Sequence, residues 1–131
     1  MIDIVVIGAG MSGIACARVL RAAGLPVRLI DKGRGVGGRM ATRRANVHGN
    51  GITFDHGAQY LDRSPDAANI TALGHEAVAE WHLAEGTSRI VGVPGMAALP
   101  KVLAQDLDVT LNTRVVTVKE CANVYEIETD A

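Results

Sequence analysis

Residues 4–13 read IVVIGAGMSG and decide the fold of this chain. The short β-branched run predicts a strand over Asp3–Ile7, and it leads directly into the pattern GxGxxG at Gly8–Gly13. Apolar residues then recur at helical spacing over Met11–Ala23, and Gly24 supplies a stop signal. A glycine-rich turn between a strand and a helix therefore predicts the start of a βαβ unit.

A second strand is predicted immediately after this helix, over Val27–Ile30. Strand, helix and strand follow one another within about 30 residues, a length that requires a parallel crossover connection. The predicted fold is therefore α/β and Rossmann-like, with a parallel sheet, a βαβ start and a small antiparallel β element.

The glycine turn has the chemistry of a phosphate site. Each glycine of the pattern has a distinct use: a tight turn, close approach of a pyrophosphate to the backbone, and close packing of the helix on the sheet. Free backbone N–H groups and the positive end of the helix dipole favour an anion there. The predicted contacts to a dinucleotide in this turn are Gly8, Gly10, Met11, Ser12 and Gly13.

Asp31 stands at the end of the second predicted strand, eighteen residues after Gly13. A carboxylate at this place can accept hydrogen bonds from both hydroxyls of an adenosine ribose, and it would repel a 2′-phosphate. Asp31 is therefore the predicted ribose ligand.

The segment Lys32–Arg44 is rich in glycine and arginine and is predicted to be a loop. Gly35, Gly37 and Gly38 would let the backbone approach a second stretch of the pyrophosphate, and Arg39 could pair with its charge. A plain NAD domain does not need such a loop, so the loop favours FAD. The alternative is a solvated basic loop. The basic residues other than Arg39 are expected to face water: Lys32, Arg34, Arg43 and Arg44.

Further elements follow from periodicity and turn residues. Residues Val47, Ile52 and Phe54 predict a hairpin that turns at Asn50-Gly51. Later elements are a helix over Ala68–Leu83 ended by Gly86, a turn at Pro94-Gly95, a helix from Ala97 through Leu107, and strands over Leu111–Val118 and Val124–Glu128. Because aromatic residues are only 3% of the chain, the core is expected to consist of Val, Ile, Leu and Ala.

Composition sets the broad class. With 131 residues the chain is expected to form a single domain, residues 1–131, and its net charge of -1 argues against nucleic acid or an anionic membrane as partner. No apolar run approaches the roughly 18 residues of a membrane span, and the first residues lack a signal peptide's basic region, so a cytoplasmic location is expected. Cys16 and Cys121 lie far apart, and neither a metal site nor a disulfide is expected.

Three stretches of the chain resemble the renalase-like branch of the flavin amine oxidase superfamily. Residues 31–44, DKGRGVGGRMATRR, look like its second FAD motif, and residues 55–60, DHGAQY, are similar to a further block. Residues 91–96, VGVPGM, together with Leu99 and the NTRV of residues 112–115, are similar to a third block.

This resemblance implies that FAD is bound non-covalently. Gly8, Gly10, Gly13 and Asp31 would hold its ADP portion, and Val115 would offer backbone groups to the adenine. The same motifs place Lys32, Gly37, Gly38, Arg39 and Met40 among the cofactor-binding residues, with Gly38 and Arg39 near the pyrophosphate. The residues expected on the flavin side are Gly57, Ala58, Gln59 and Tyr60. His56 is either a base or a structural hydrogen-bonding residue, and no catalytic residue is assigned.

Renalase-type enzymes pass a hydride from a dihydronicotinamide to flavin and return the electrons to oxygen, and their relatives oxidise amines. Family members are longer, so we expect the substrate domain and a C-terminal return to the FAD domain to be missing. Two alternatives stay open: a dinucleotide-binding module for FAD or NAD without catalysis, and an inactive truncated fragment that needs a partner chain. An exposed sheet edge would favour self-association.

Overall fold

The chain divides into two compact units in the computed structural model, which describes residues 4–130 apart from the side chain of Glu85. The first unit contains the chain up to Gly38 and from Asp106 onward, and the second is Arg39–Gln105. No helix within the described residues is long and apolar enough to cross a membrane.

The βαβ start of the first unit forms as the sequence predicts. Strand β1 spans Ile4–Ile7, helix α1 spans Met11–Ala22, and strand β2 spans Val27–Ile30. The predicted strand start at Asp3 lies outside the described residues. β1 and β2 pair in parallel with Ile4 opposite Val27, as a crossover through α1 requires.

A third parallel strand completes this sheet and was not predicted. The strand, β7, spans Asp108–Thr110 and lies beside β2, giving the order β1-β2-β7. Three residues are too few for a periodic signal, and Leu107 was assigned to a helix instead. The α/β Rossmann-like fold with a parallel sheet is nevertheless confirmed, and its small core contains Ala9, Ile14, Ala17 and Leu29.

The first unit ends with the hairpin of β8, Val115–Cys121, and β9, Val124–Thr129. The prediction of one strand over Leu111–Val118 is wrong in its first half. Asn112 there has a φ of 54°, and its amide donates to the Gly33 carbonyl at 2.9 Å, so this stretch is diverted into a loop. Cys16 and Cys121 are exposed free thiols.

The second unit begins with the predicted antiparallel hairpin, β3 over Thr42–Val47 and β4 over Asn50–Asp55. The loop predicted to reach Arg44 therefore ends three residues earlier, at Ala41. The turn also lies two residues before the predicted one, at His48 and Gly49, whose φ values are 51° and 84°. Positive φ at both central residues is the requirement of a type I′ two-residue loop, so His48 and Gly49 form the turn and Asn50-Gly51 begins β4.

The predicted helix over Ala68–Leu83 is wrong in its second half. Helix α2 spans Pro65–Leu73, and the Ser64 hydroxyl caps it by accepting from the amide of Ala67 at 3.1 Å. Gly74 follows the last residue of α2, and a Cβ there would lie 2.6 Å from Leu99 Cδ1, so a side chain at this position would require Leu99 to shift.

After a 3-10 turn at His75–Ala77, the chain forms strand β5 over Val78–His82. Another 3-10 turn, Ala84–Gly86, leads into its antiparallel partner β6, Ser88–Gly92. The prediction that Gly86 ends a helix is therefore wrong.

Helix α3 spans Ala98–Leu103, one residue after its predicted start, with Pro100 in the first turn as expected. Leu107 lies beyond this helix. The core of the second unit consists of Met40, Ala67, Ala77, Met96, Ala97, Leu99, Leu103 and Ala104. Alanine, leucine and isoleucine were expected in the core, but valine is absent from the fully buried described residues and methionine takes its place.

Candidate dinucleotide-binding site

Two glycine segments that are far apart in sequence lie side by side in the first unit. The Gly37 amide donates to the Ala9 carbonyl at 2.8 Å, and Gly10 and Gly37 form a parallel bridge. A Cβ on Gly38 would lie 3.3 Å from the Cα of Gly10, tighter than most such contacts. The GxGxxG turn and the following glycine loop thus form one surface, which we call the glycine cradle, residues 8–13 with 37–38.

Gly13 is required by the protein itself. A Cβ at this position would clash with the Gly8 carbonyl oxygen and lie 3.4 Å from Val6 Cγ1. Gly8 has a φ of 103°, a conformation that side chains disfavour. These two glycines therefore shape the turn between β1 and α1.

Gly10 has a different environment. Its φ of -76° is available to any residue, and an added Cβ would meet only the Cα of Gly38, at 4.0 Å. No side chain caps α1 at this position, and its first turn contains no acidic residue. The amides of the Met11–Gly13 turn therefore have no side-chain cap, and bare backbone at Gly10 leaves room for an anion in front of them.

Asp31 ties the cradle to the end of β2. Its Oδ2 accepts from the Ala9 amide and its Oδ1 from the Gly33 amide, each at 2.6 Å. The sequence predicted only a ribose ligand and missed this bracing role. The Asp31-Lys32-Gly33 spacing was the available signal, because aspartate often accepts from the amide two residues later. Each carboxylate oxygen keeps a second lone pair for a hydroxyl.

The loop before Val115 lies against the same place. The Thr113 amide donates to the Asp31 carbonyl at 3.0 Å, close to the bond from Asn112 to Gly33. Val115 is half-buried at the start of β8, while Ser12 and Lys32 are exposed. The fold thus gathers the glycine cradle, Asp31 and the segment leading to Val115 within the first unit.

Replacing Asp31 with alanine is expected to weaken dinucleotide binding by about 1–3 kcal/mol, through the lost hydroxyl contacts and the released Ala9 and Gly33 amides. The melting temperature should fall as well, because both braces are removed. Isothermal titration and thermal melts of Asp31→Ala beside Asp106→Ala, an exposed aspartate of the same unit, measure the two effects. Equal affinities in the two variants would contradict the assignment.

In the second unit, the predicted flavin-side residues lie against Arg39. The Ala58 amide donates to the Arg39 carbonyl at 2.8 Å, and a Cβ on Gly57 would clash with the same oxygen. Met40 is buried with 6% exposure, whereas the Arg39 side chain is exposed and forms no ion pair with any described residue. The backbone at residues 57–58 is thus fixed while the guanidinium stays available.

The two flavin-side residues that follow, Gln59 and Tyr60, differ in environment. Gln59 is exposed, as is His56, whereas Tyr60 is half-buried. The guanidinium carbon of Arg89 lies 3.6 Å from the centroid of the Tyr60 ring. The structure thus fixes Tyr60 more firmly than Gln59 or His56.

A polar cluster around Asp55 was missed by the sequence analysis. Its carboxylate accepts from the Thr42 hydroxyl at 2.5 Å and from the Met96 amide at 3.1 Å, and the Thr42 oxygen accepts from the Ala97 amide at 3.2 Å. A Cβ on Gly95 would lie 2.6 Å from that same oxygen. The carboxylate joins the hairpin to the turn before α3, which links two blocks of the sequence resemblance.

Asp55→Ala is expected to lower the free energy of unfolding by about 1–3 kcal/mol, because the amide of buried Met96 and the hydroxyl of half-buried Thr42 lose their acceptor. Chemical denaturation is the measurement, with Asp66→Ala as a control at an exposed aspartate of the same unit. A loss no larger than in the control would show that the cluster does not stabilise the fold.

Strands β5 and β6 contain one perturbed carboxyl group. The hydrogen bond from the Ser88 hydroxyl, at 2.5 Å, is the main cause that lowers the pKa of Glu80, and the charge of Arg63 at 2.7 Å adds to it. Because the pKa of Glu80 is lower in the folded state than in the unfolded state, the stabilisation from the Ser88 and Arg63 contacts is complete above the ordinary glutamate pKa. It is lost as the pH falls through the lowered value.

Comparison with known proteins places these features in a family. The family described as NAD(P)-binding Rossmann-like domain matches residues 6–76. An L-glutamate oxidase precursor from Streptomyces diastatochromogenes is 43% identical over 68 residues, which is 48% of this chain and 10% of that protein. This chain therefore spans a small part of that relative's length.

Solved structures give the same fold. The crystal structure of OTEMO in complex with FAD and NADP is 28% identical with a TM-score of 0.61, over 98% of this chain and 22% of that one. A putrescine oxidase variant from a redesign of cofactor binding has a TM-score of 0.71 at 18% identity, over 98% of this chain and 54% of that one. The family match covers more than half of the residues of this chain. The chain therefore belongs to the NAD(P)-binding Rossmann-like domain family.

Proposed function

We propose that residues 1–131 form one domain that binds FAD, and that the domain belongs to an oxidoreductase. The observation that carries this proposal is the glycine cradle, in which Gly10 lies bare at an α1 N-terminus that no side chain caps. The protein itself would tolerate a side chain at Gly10, so the empty space there fits a ligand that approaches the backbone. A pyrophosphate has the charge and size for that position.

The residues around the cradle define how the dinucleotide would be held. Amides of Gly10, Met11, Ser12 and Gly13 would donate to its phosphates, and Asp31 would accept from the ribose hydroxyls. Gly37 and Gly38 would leave room for the second phosphate. The remaining proposed contacts are Gly8, Lys32, Arg39, Met40 and the backbone of Val115.

The isoalloxazine end is assigned to residues 57–60 of the second unit. When bound, the flavin supplies the electron-accepting chemistry, and the protein supplies position and electrostatics. Gly57 and Ala58 offer fixed backbone against Arg39, and Gln59 and Tyr60 offer side chains. These residues would orient the ring system, and no residue of this chain is proposed as a proton donor or acceptor.

Named relatives support an oxidoreductase role. The relatives include an L-glutamate oxidase precursor, and the solved structures include OTEMO with FAD and NADP. We propose a renalase-like or amine oxidase-like reaction at a cytoplasmic location, in which a dihydronicotinamide or an amine gives a hydride to the flavin and oxygen accepts the electrons. The proposed partners are this small-molecule substrate and a partner chain.

A second candidate is a dinucleotide-binding module without catalysis, holding either FAD or NAD. The observation that favours it is the family match itself, which covers residues 6–76 and is described by nucleotide binding alone. In that case nucleotide binding would persist while no substrate reduces the flavin.

The test is the visible absorption spectrum of the purified chain before and after addition of FAD, followed by chromatography of the nucleotide released on denaturation. A flavin spectrum with released FAD is the expected result, and bleaching by a dihydronicotinamide or an amine would separate the enzyme from the module. No flavin and no uptake of added FAD would overturn the proposal, and saturable NADH binding would then identify an NAD module.

A further inference from the structure

A short third strand extends the β5–β6 hairpin beside the proposed flavin-side residues. Leu61 forms an antiparallel bridge with Ile90, with the Leu61 amide donating at 2.8 Å and the Ile90 amide donating back at 3.0 Å. Paired residues place their side chains on the same face of a sheet, so Leu61 and Ile90 share one face. Consecutive side chains point to different faces, so the residues next to Leu61 and those next to Ile90 share the second face. Tyr60, Asp62 and Arg89 are therefore on one face of this small sheet.

Arg89 lies at the centre of that face. Trp81 is directly opposite it on β5, and the Tyr60 ring lies 3.6 Å from its guanidinium carbon on the other side. A guanidinium over an aromatic ring is held electrostatically by the ring's negative face. The Arg89 head group is thus fixed in position while its side chain keeps 35% exposure.

The hydrogen-bonding capacity of Arg89 is unused by the described residues. The closest carboxylate oxygen, in Asp62, is 3.9 Å from Nε, beyond hydrogen-bond distance, and the Asp62 side chain is 80% exposed. A guanidinium presents five N–H donors in a planar fork that matches a carboxylate in two-point geometry. The Arg89 guanidinium is held in place with free N–H donors, and it can therefore bind an anion from solution.

The contrast with Arg63 supports this interpretation. Arg63 Nη2 lies 2.7 Å from Glu80 Oε1, and Glu80 also accepts from Ser88. Consecutive side chains of a strand point to different faces of a sheet, so Ile90 and Ser88 lie on one face and Arg89 on the other. Glu80 pairs with Ile90 and therefore lies on the face away from Arg89. Arg63 therefore has a carboxylate oxygen at hydrogen-bond distance, whereas Arg89 has, among the described residues, only the longer ion pair with Asp62, at 3.9 Å.

We propose that Arg89 binds the carboxylate of an anionic substrate, with Tyr60 as the positioning residue that holds the guanidinium. The inference rests on the proposed function, which assigns Tyr60 to the flavin side of the domain. The substrate class is thereby narrowed to small molecules that carry a carboxylate.

The test uses benzoate as the carboxylate probe and neutral benzamide as its matched control. Trp81 is the only tryptophan in the chain and is 49% exposed opposite Arg89, so its fluorescence reports binding directly. Saturable quenching by benzoate and none by benzamide is expected. Arg89→Met should weaken benzoate binding at least about tenfold, and Arg89→Lys should fall in between because it keeps the charge and loses the fork.

Arg63→Met is the control for loss of one positive charge, and it should leave the benzoate affinity unchanged. An equal loss in Arg63→Met would place the anion in the groove that Arg63 lines with Pro65 and Ala68, and would overturn the proposal. So would unchanged affinity in Arg89→Met, or no saturable quenching of the wild-type chain. Tighter Arg89-dependent binding of inorganic phosphate than of benzoate would overturn the assignment to a carboxylate.

The role of Tyr60 is tested by a second pair of variants, which also serves if Arg89→Met fails to fold. Tyr60→Phe keeps the aromatic face and should keep the benzoate affinity, whereas Tyr60→Leu should weaken it severalfold. Equal affinity in both variants would refute the positioning role. FAD uptake is measured separately: benzoate binding without FAD uptake would refute the proposed function alone, and FAD uptake without benzoate binding would refute this inference alone.

Discussion

Gly10→Val is expected to abolish FAD uptake while leaving the fold intact. An added Cβ at this position meets only the Gly38 Cα at 4.0 Å, and the φ of -76° suits any residue. The side chain therefore projects into the space in front of α1 that the pyrophosphate would occupy. The smaller Gly10→Ala should weaken binding by about tenfold or more, which corresponds to roughly 1.4 kcal/mol.

Titration of FAD, followed by flavin fluorescence, measures this effect, and far-UV circular dichroism checks the fold. Gly51→Ala is the matched control, because a Cβ there meets nothing within 4 Å and the residue lies in the β3–β4 hairpin. If Gly10→Val binds FAD as tightly as the control, the pyrophosphate does not lie at the glycine cradle.

Gly13→Ala should have the opposite signature, a loss of stability. Replacing glycine by alanine within a helix normally stabilises it by about 0.5–1 kcal/mol. At Gly13, however, the new methyl group would clash with the Gly8 carbonyl oxygen and crowd Val6. Overpacking of this kind typically costs about 1–3 kcal/mol, so the sign of the usual effect is reversed.

Thermal melting followed by circular dichroism is the measurement for Gly13→Ala. The melting temperature should fall by several degrees below that of wild type and of Gly10→Ala, which adds the same methyl group three residues earlier. A melting temperature above that of wild type would show that α1 does not pack as closely on the β1–α1 turn as the structure has it.

The beginning of the fold was predictable because its signals are local. Residues 4–30 contain a β-branched run, a glycine pattern, a helical repeat and a second apolar run, and each forms the element that its period predicts. The second unit was harder. Trp81 and Ala77 fit a helical repeat that continues from α2, yet the chain forms β5 because pairing with β6 satisfies its backbone groups.

The candidate site divides in the same way. GxGxxG and Asp31 could be located from spacing alone. Two contacts of the site join partners more than twenty residues apart: Gly37 bridges to Gly10, and the Asp31 carboxylate accepts from the Ala9 amide. The Asp55 cluster with Met96 is a contact across more than forty residues that no periodicity encodes.

The sequence by itself determined the α/β class, the βαβ start and the positions of the phosphate-binding turn, because those depend on local conformational preference and hydrophobic period. Only the tertiary structure decided that β7 completes the parallel sheet, that Gly10 and Gly13 have opposite structural requirements, and that Arg89 is held by Tyr60. Those features depend on which distant groups come within contact distance, and that is settled by packing.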